Sequence, residues 1–308
     1  MERGHPILCI PRGQDRIRKE SALPCAILAL VQLETGRIVA SKTPGDGYVV
    51  LTVQAPGIAA AVKPGQFVMA GCTRDSETPF PLLKRALAVF TLPDRETTRE
   101  QFTLLIRVVG EGTRRLASLD PGEAIDLIGP LGNGFDLAAA SGQSNLLVAG
   151  GTGLASLYLL AEELARRGDT VLMAAGGRSA GDLVALAPFE ELGIPLEITT
   201  EDGSRGTKGL VTAAVETILS RRAPRPYRLY ACGPTAMMEA VGRLAAARGL
   251  PCSISVEVKM GCGFGVCLGC SVKTRGGYRL ACTDGPVFDA AEFVWESEQW
   301  EGSACQAR

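Results

Sequence analysis

The sequence predicts a multidomain protein of β plus α/β class: a small closed β-barrel, a doubly wound parallel sheet, and a small C-terminal cysteine-cluster domain. Three observations carry this. Between residues 23 and 141, short β-branched or alternating runs are separated by turn clusters such as "TPGDG" and "KPG", the pattern of evenly spaced strands that close on themselves. Between 142 and 257, apolar strands alternate with helical stretches, as in a parallel sheet built from crossovers. Between 258 and 308 lies "MGCGFGVCLGC" (260–270), which packs three cysteines among glycines. Three thiols cannot close among themselves as disulfides.

The elements follow in order. Residues 1–22 are polar and punctuated by Pro and Gly, and read as a loosely ordered extension with no assignable role. In 23–141 the strand runs are "CAILALVQL", "RIVASK", "YVVLTVQAP", "GQFVMAG", "RALAVFTL", "QFTLLIRVVG" and "EAIDLIGPL". In 142–257, "NLLVAGGTG" is a buried strand ending in glycines. "LASLYLLAEELARRG" is then an amphipathic helix with a glycine stop. "TVLMAAGG", "PLEITTED", "YRLYACGP" and "CSISVEV" are further strands, with helices expected near 181–192, 209–222 and 234–248.

The 308 residues suffice for two or three domains with real cores. With 32 basic and 33 acidic residues, the charge gives no sign of nucleic acid or an anionic membrane as the main partner. No apolar run reaches membrane-spanning length, and the first twenty residues lack the apolar core of a secretory signal. A cytoplasmic location is therefore expected, where ten cysteines read as thiols or metal ligands. The single histidine, His5, lies in the polar N-terminal stretch, which argues against a catalytic triad or a His-ligated metal. The chemistry must come from cysteine, a bound cofactor, or both.

A fourth cysteine, Cys282, follows in "RLACTDGPVF", giving Cys262-x4-Cys267-x2-Cys270, eleven residues, then Cys282. The x4-x2 spacing is that of plant-type 2Fe–2S ferredoxins. Glycines between the thiols let the backbone wrap closely and turn its amides toward sulfur. A zinc site is the rival, but zinc ribbons usually carry two CxxC pairs and only Cys267–Cys270 has that form. A redox dithiol explains neither Cys262 nor Cys282.

Three weaker signals lie upstream. "GGTG" at 150–153 stands between strand and helix, where amides suit a pyrophosphate, although glycine turns after strands are equally common as packing features. Cys232 in "ACGP" ends a strand at the ligand-binding edge of such a sheet; by itself it reads more readily as a packed thiol. Arg85 opens a barrel strand and "GEGT" at 110–113 reads as a turn; Arg85 and the Gly112 and Thr113 amides suit a phosphate from two sides, although a lone arginine reads more readily as a solvated surface residue.

The order of these features resembles the ferredoxin–NADP reductase superfamily. Within it, the chain resembles the electron-transfer subunits of NAD-linked (B type) dihydroorotate dehydrogenases, from about residue 24 to 296. The stretches that carry the likeness are "KPGQFVMAG", "PLLKRALAVF", "GEGTRRLASLDPGEAIDLIGPLGNGF", "TEDGSRGTKGLVT", "YACGPTAMMEAV" and, above all, "VEVKMGCGFGVCLGC…YRLACTDGPVF". The resemblance implies a flavin-binding barrel holding FAD. Arg85, Ala86, Leu87 and Ala88 match the flavin-binding run, Leu105, Ile106 and Arg107 the strand passing the cofactor, and Gly112 and Thr113 the pyrophosphate turn. It implies NAD(H) at Gly150, Gly151, Thr152 and Gly153, with Cys232 near the nicotinamide, and a 2Fe–2S cluster on the four cysteines. It also implies a partner: an FMN-containing dihydroorotate dehydrogenase catalytic subunit, in a heterotetramer. Electrons would pass from that partner through cluster and FAD to NAD⁺, serving pyrimidine biosynthesis. Ala86 and Ala88 depart from the usual Pro and Ser, and Ser156 from a frequent Pro. Two rival readings are a subunit of a sulfide dehydrogenase or NADH-dependent ferredoxin:NADP oxidoreductase, whose relatives carry Asp in place of the first cluster cysteine, and a zinc-stapled interaction protein.

Overall fold

The computed structural model describes residues 31–72, 80–221 and 226–295. The extension 1–22, most of "CAILALVQL", His5, Cys9, Cys25 and Cys305 lie outside the described residues.

The first sheet has six antiparallel strands: β1 (Gln32–Gly45), β2 (Tyr48–Gln54), β3 (Phe67–Ala70), β4 (Arg85–Ala88), β5 (Gln101–Arg107) and β6 (Ala124–Leu131). Their order is β4-β3-β6-β1-β2-β5. A bridge between Val89 and Leu104 brings the two edges together, so the sheet is nearly closed into a barrel. Alternation explains the burial: in β2, Leu51 and Val53 are sealed while Val50 and Thr52 are only half-buried. Two helices interrupt the strands, α1 (Pro56–Ala61) and α2 (Glu111–Ala117). The expected turn at 110–113 is thus the first turn of α2. Thr113 Oγ1 accepts from the N–H of Val109 and Gly110 at 2.9 and 3.1 Å and holds that turn.

The second sheet holds β7 (Ser144–Gly150), β8 (Thr170–Gly177), β9 (Leu196–Thr200), β10 (Thr207–Lys208), β11 (Tyr227–Cys232) and β12 (Cys252–Ser255), all parallel, in the order β10-β9-β8-β7-β11-β12. Between them run α3 (Leu154–Arg166), α4 (Ala187–Glu191), α5 (Val211–Ser220) and α6 (Thr235–Ala247). The helix expected at 181–192 is shorter than its sequence pattern, because Pro188 near the start of α4 limits it to a single turn or so. α3 is buried on more than one side. Tyr158 packs edge-on against Phe90 of the barrel and against Phe189 of α4, with ring centroids 5.4 and 5.2 Å apart. Arg95 of the barrel pairs with Glu162 and Glu163 on the same helix.

The C-terminal segment adds a hairpin, β13 (Ser271–Thr274) with β14 (Gly277–Leu280), and then β15 (Val287–Asp289). β15 pairs antiparallel with β12 and becomes the seventh strand of the second sheet. Asn133, at the exit of the barrel, donates its backbone N–H to Gly285 O (2.6 Å) and its amide to Thr283 O (2.9 Å). The cysteine segment is thereby tied to both sheets.

Candidate functional site

Strand order reverses between β7 and β11, the position where ligands bind at the carboxyl ends of such sheets. The glycine motif and the "CGP" motif meet there. A Cβ on Gly153 would lie 2.1 Å from the Cys232 carbonyl oxygen, and one on Gly150 would lie 2.6 Å from Met237 Sδ. These two glycines let a strand end and a helix start pass at backbone contact. Gly151 differs: it has φ +53° and open space beside it, so the chain turns there with its face free. Thr152 is half-buried. Gly151–Gly153 form a single 3-10 turn that runs straight into α3, so the Leu154 N–H is taken by Gly151 O and the N–H groups of the turn itself stand ahead of the helix.

Cys232 stands at this edge but is 0% exposed. Burial pushes its thiol far up, reinforced by the Glu257 charge and opposed by the Ser156 and Ser255 hydroxyls. Glu257 Oε1 lies 3.9 Å from Cys232 Sγ. Glu257 is exposed, yet the protein around its carboxyl desolvates it enough to push its pKa up. Sequence reasoning missed Glu257. The available signal was a charge at the end of the apolar run "CSISVEV", beside the switch point.

On the barrel, Arg85 and Gly112 are brought together. A Cβ on Gly112 would lie 2.3–2.5 Å from the Arg85 guanidinium. Arg85 Nη1 also donates to Leu83 O at 2.6 Å. Glu111, Gly112 and Thr113 open α2, so their N–H groups have no intrahelical acceptor. The Arg85 guanidinium thus packs against the helix start itself, in space that only glycine leaves free. Ala86, Leu87 and Ala88 are all half-buried on edge strand β4. β5 is two-faced: Phe102, Leu104 and Ile106 are sealed, whereas Leu105 and Arg107 lie on the opposite face. The Ile106 side chain therefore belongs to the core. Arg107 sits over the Tyr48 ring at 5.8 Å and 3.8 Å from Asp182, which accepts from Tyr48 Oη at 3.0 Å.

The four loop cysteines stand as two pairs. Cys270 Sγ and Cys282 Sγ are 3.2 Å apart and both residues are buried. Cys262 lies within hydrogen-bonding reach of the Cys267 side chain and accepts from the Cys267 backbone N–H at 3.4 Å. Gly265 N–H points at Cys282 Sγ from 3.2 Å. Burial opposes ionisation of Cys262, but the N–H groups of Cys267, Phe264 and Val266 outweigh it and bring its pKa to about 7. Cys282 is pushed up to about 12, by burial first and then by Cys270. Among the described residues no three His, Cys, Asp or Glu side chains converge as single-metal ligands. Two pairs of thiols suit two irons that each take two protein ligands, and they suit one tetrahedral zinc poorly.

The comparisons with known proteins agree with this geometry. The chain is 36% identical over 246 residues to the "Dihydroorotate dehydrogenase B (NAD(+)), electron transfer subunit" of Desulforamulus reducens, covering 79% of this chain and 90% of that one.

The chain belongs to this family.

The family's counterpart from Bacillus caldolyticus is 38% identical over 75% of this chain and 87% of its own. A family model described as the iron-sulfur cluster binding domain of dihydroorotate dehydrogenase B matches residues 257–294, and an oxidoreductase NAD-binding domain matches 147–243. A solved structure of an NADH-dependent reduced ferredoxin-NADP oxidoreductase superposes with a TM-score of 0.73 at 29% identity, covering 86% of this chain and 91% of that one. A ferredoxin reductase of carbazole 1,9a-dioxygenase shares the fold, with a TM-score of 0.59 at 20% identity over 72% and 67%. The expected β plus α/β fold is the one observed, and the chain is an oxidoreductase component that carries electrons with an iron–sulfur cluster, FAD and NAD(H). The dihydroorotate dehydrogenase reading is favoured over both rivals, and the relatives' standing as one subunit implies a catalytic partner. Among the described residues no helix is long and apolar enough to cross a membrane.

Proposed function

We propose that Cys262 with Cys267, and Cys270 with Cys282, each hold one iron of a 2Fe–2S cluster. The observation that carries this assignment is the pairing of the sulfurs, with backbone N–H groups aimed at them. Arg85 and the N–H groups of Glu111, Gly112 and Thr113 grip the FAD pyrophosphate from two sides. Ala86, Leu87, Ala88 and the Leu105/Arg107 face of β5 flank the flavin, to which Ile106 contributes only backbone. The Gly150–Gly153 turn and the start of α3 receive the NAD(H) pyrophosphate, and the nicotinamide end rests over Glu257 and Cys232. When bound, NAD(H) exchanges electrons in pairs, the cluster singly, and FAD either way.

The protein residues bind and orient. Burial and the Glu257 carboxylate keep the Cys232 thiol protonated, and the Ser156 and Ser255 hydroxyls hold it in place by hydrogen bonds. Glu257 presents an exposed carboxyl beside it. The partner is an FMN-containing dihydroorotate dehydrogenase catalytic subunit, in a cytoplasmic heterotetramer that delivers electrons through the cluster and FAD to NAD⁺. Exposed Val266 and Leu268 flank Cys267 at the loop tip and support docking there; Phe264 is half-buried over the loop. Co-expression of the two chains tests this. A complex that reduces NAD⁺ with dihydroorotate is expected, and this chain alone should only oxidise NADH with artificial acceptors. Failure of the two chains to co-purify, or turnover of dihydroorotate by this chain alone, would sink the reading.

A further inference from the structure

We propose that Met69 is the bridge between the cluster loop and the flavin strand, and that Gly263 is glycine so that the loop can seat on it. The inference rests on the assignments above, which place the cluster on the loop and the flavin on β4. Gly263 follows directly after Cys262. It is buried with φ +88°, and a Cβ there would lie 2.4 Å from Met69 Cγ, 3.0 Å from Met69 Sδ and 3.0 Å from Leu131 Cδ1. The loop backbone therefore rests against the Met69 side chain with no room for a methyl group. Met69 is 0% exposed and stands in the middle of β3. Directly across the ladder from Met69 is Ala86 of β4. One strand spacing, about 4.8 Å, separates the residue that seats the loop from the strand assigned to the flavin. The path from Cys262 through Gly263 and Met69 to Ala86 crosses only packed protein.

With FAD and the cluster bound, NADH would supply two electrons as hydride and the chain would pass one of them on to the cluster, with no heavy-atom bond formed or broken. The rate of that crossing depends on how closely the loop approaches β4, which the Gly263–Met69 contact sets. Met69 is a positioning residue: it touches neither the substrate nor the reacting atoms.

The test uses the full chain loaded with FAD and cluster. Iron and flavin per chain and the cluster's reduction potential are measured first. NADH is then added anaerobically, and the flavin and cluster absorption bands are followed separately. Gly263→Ala should leave the rate of flavin bleaching and the cluster potential unchanged, while the cluster bleaches about tenfold more slowly, as small displacements of reacting partners do. Adding Met69→Ala to Gly263→Ala vacates the space that the methyl needs and should restore most of the rate. Cluster bleaching at the parent rate in Gly263→Ala, or no recovery in the double variant, overturns the proposal. If Gly263→Ala binds no iron, Met69→Ala alone decides, since it opens a gap on the same path without altering the loop: slowed cluster bleaching supports the bridge and an unchanged rate refutes it. A parent chain that binds no iron or flavin would instead overturn the assignments on which the bridge stands.

Discussion

Two regions of this protein present cysteine sulfur, and they treat it in opposite ways. In the C-terminal loop, Cys262 is half-exposed and three backbone N–H groups lower its pKa to about 7. At the edge of the second sheet, Cys232 is sealed beside a carboxylate and its thiol is pushed up. Thiolate character is what a metal needs, and a buried protonated thiol supplies packing and shape instead. The inner loop pair shows that burial alone does not separate the two roles. Cys270 and Cys282 are as sealed as Cys232, yet they face another thiol and a backbone N–H. What a cysteine can do here follows from its neighbours.

The largest effect expected from this contrast is on iron. Cys262→Ser, Cys267→Ser, Cys270→Ser and Cys282→Ser should each lose or destabilise the cluster, whereas Cys72→Ser and Cys252→Ser should keep full iron. Iron per chain in anaerobically purified protein measures this, and full iron in any loop variant would break the assignment of four ligands. Zinc without iron in the parent would break it outright.

The next effect is on flavin. Arg85→Ala removes a charge-assisted contact and should weaken FAD binding by about 1.5–3 kcal/mol, with iron content untouched. Titration of the apo-chain with FAD reads it, and an unchanged affinity would detach Arg85 from the pyrophosphate. At the sheet edge, Cys232→Ala should slow reduction of the flavin by NADH in a single turnover while FAD and iron stay in place. An unchanged rate would leave Cys232 as a packed thiol only.

The smallest effect concerns Glu257. Its carboxyl pKa is raised in the folded protein, so its ionised form is disfavoured there. Folding is therefore favoured below the ordinary carboxylate range, and that advantage is lost as pH rises through the raised value. Glu257→Gln should raise Tm slightly at neutral pH, with the gain vanishing in acid. A variant less stable than the parent at neutral pH would show that water solvates Glu257 fully.

Much of this could be read along the chain, where the signal was local. Alternation located β2, β5 and β6, and the carboxyl-edge position of "ACGP" followed from a strand running into Gly and Pro. α1 was not legible, because its ends are held from elsewhere. Glu34 of β1 accepts from the N–H of Gly57 and Ile58 at its start, and Arg99 donates to Ala59 O and Val62 O at its end. β15 was hidden for a related reason: three residues make a strand only because β12 lies open beside them. Ser156, where a proline was anticipated, acquires its meaning from its hydroxyl reaching Cys232.

The sequence by itself determined the cysteine spacing, the order of barrel, parallel sheet and cluster loop, and the residue types at each ligand edge. These depend on periodicity and on neighbours within a few positions. Only the tertiary structure decided which sulfurs pair, that Gly112 makes room for Arg85, that Gly153 is glycine for the Cys232 backbone and Gly150 for the Met237 and Pro234 side chains while Gly151 turns freely, and that Gly263 rests on Met69. Each of these is a meeting of atoms from distant segments at van der Waals distance, and close packing, which tolerates no extra methyl group at such a contact, sets them where local propensity cannot.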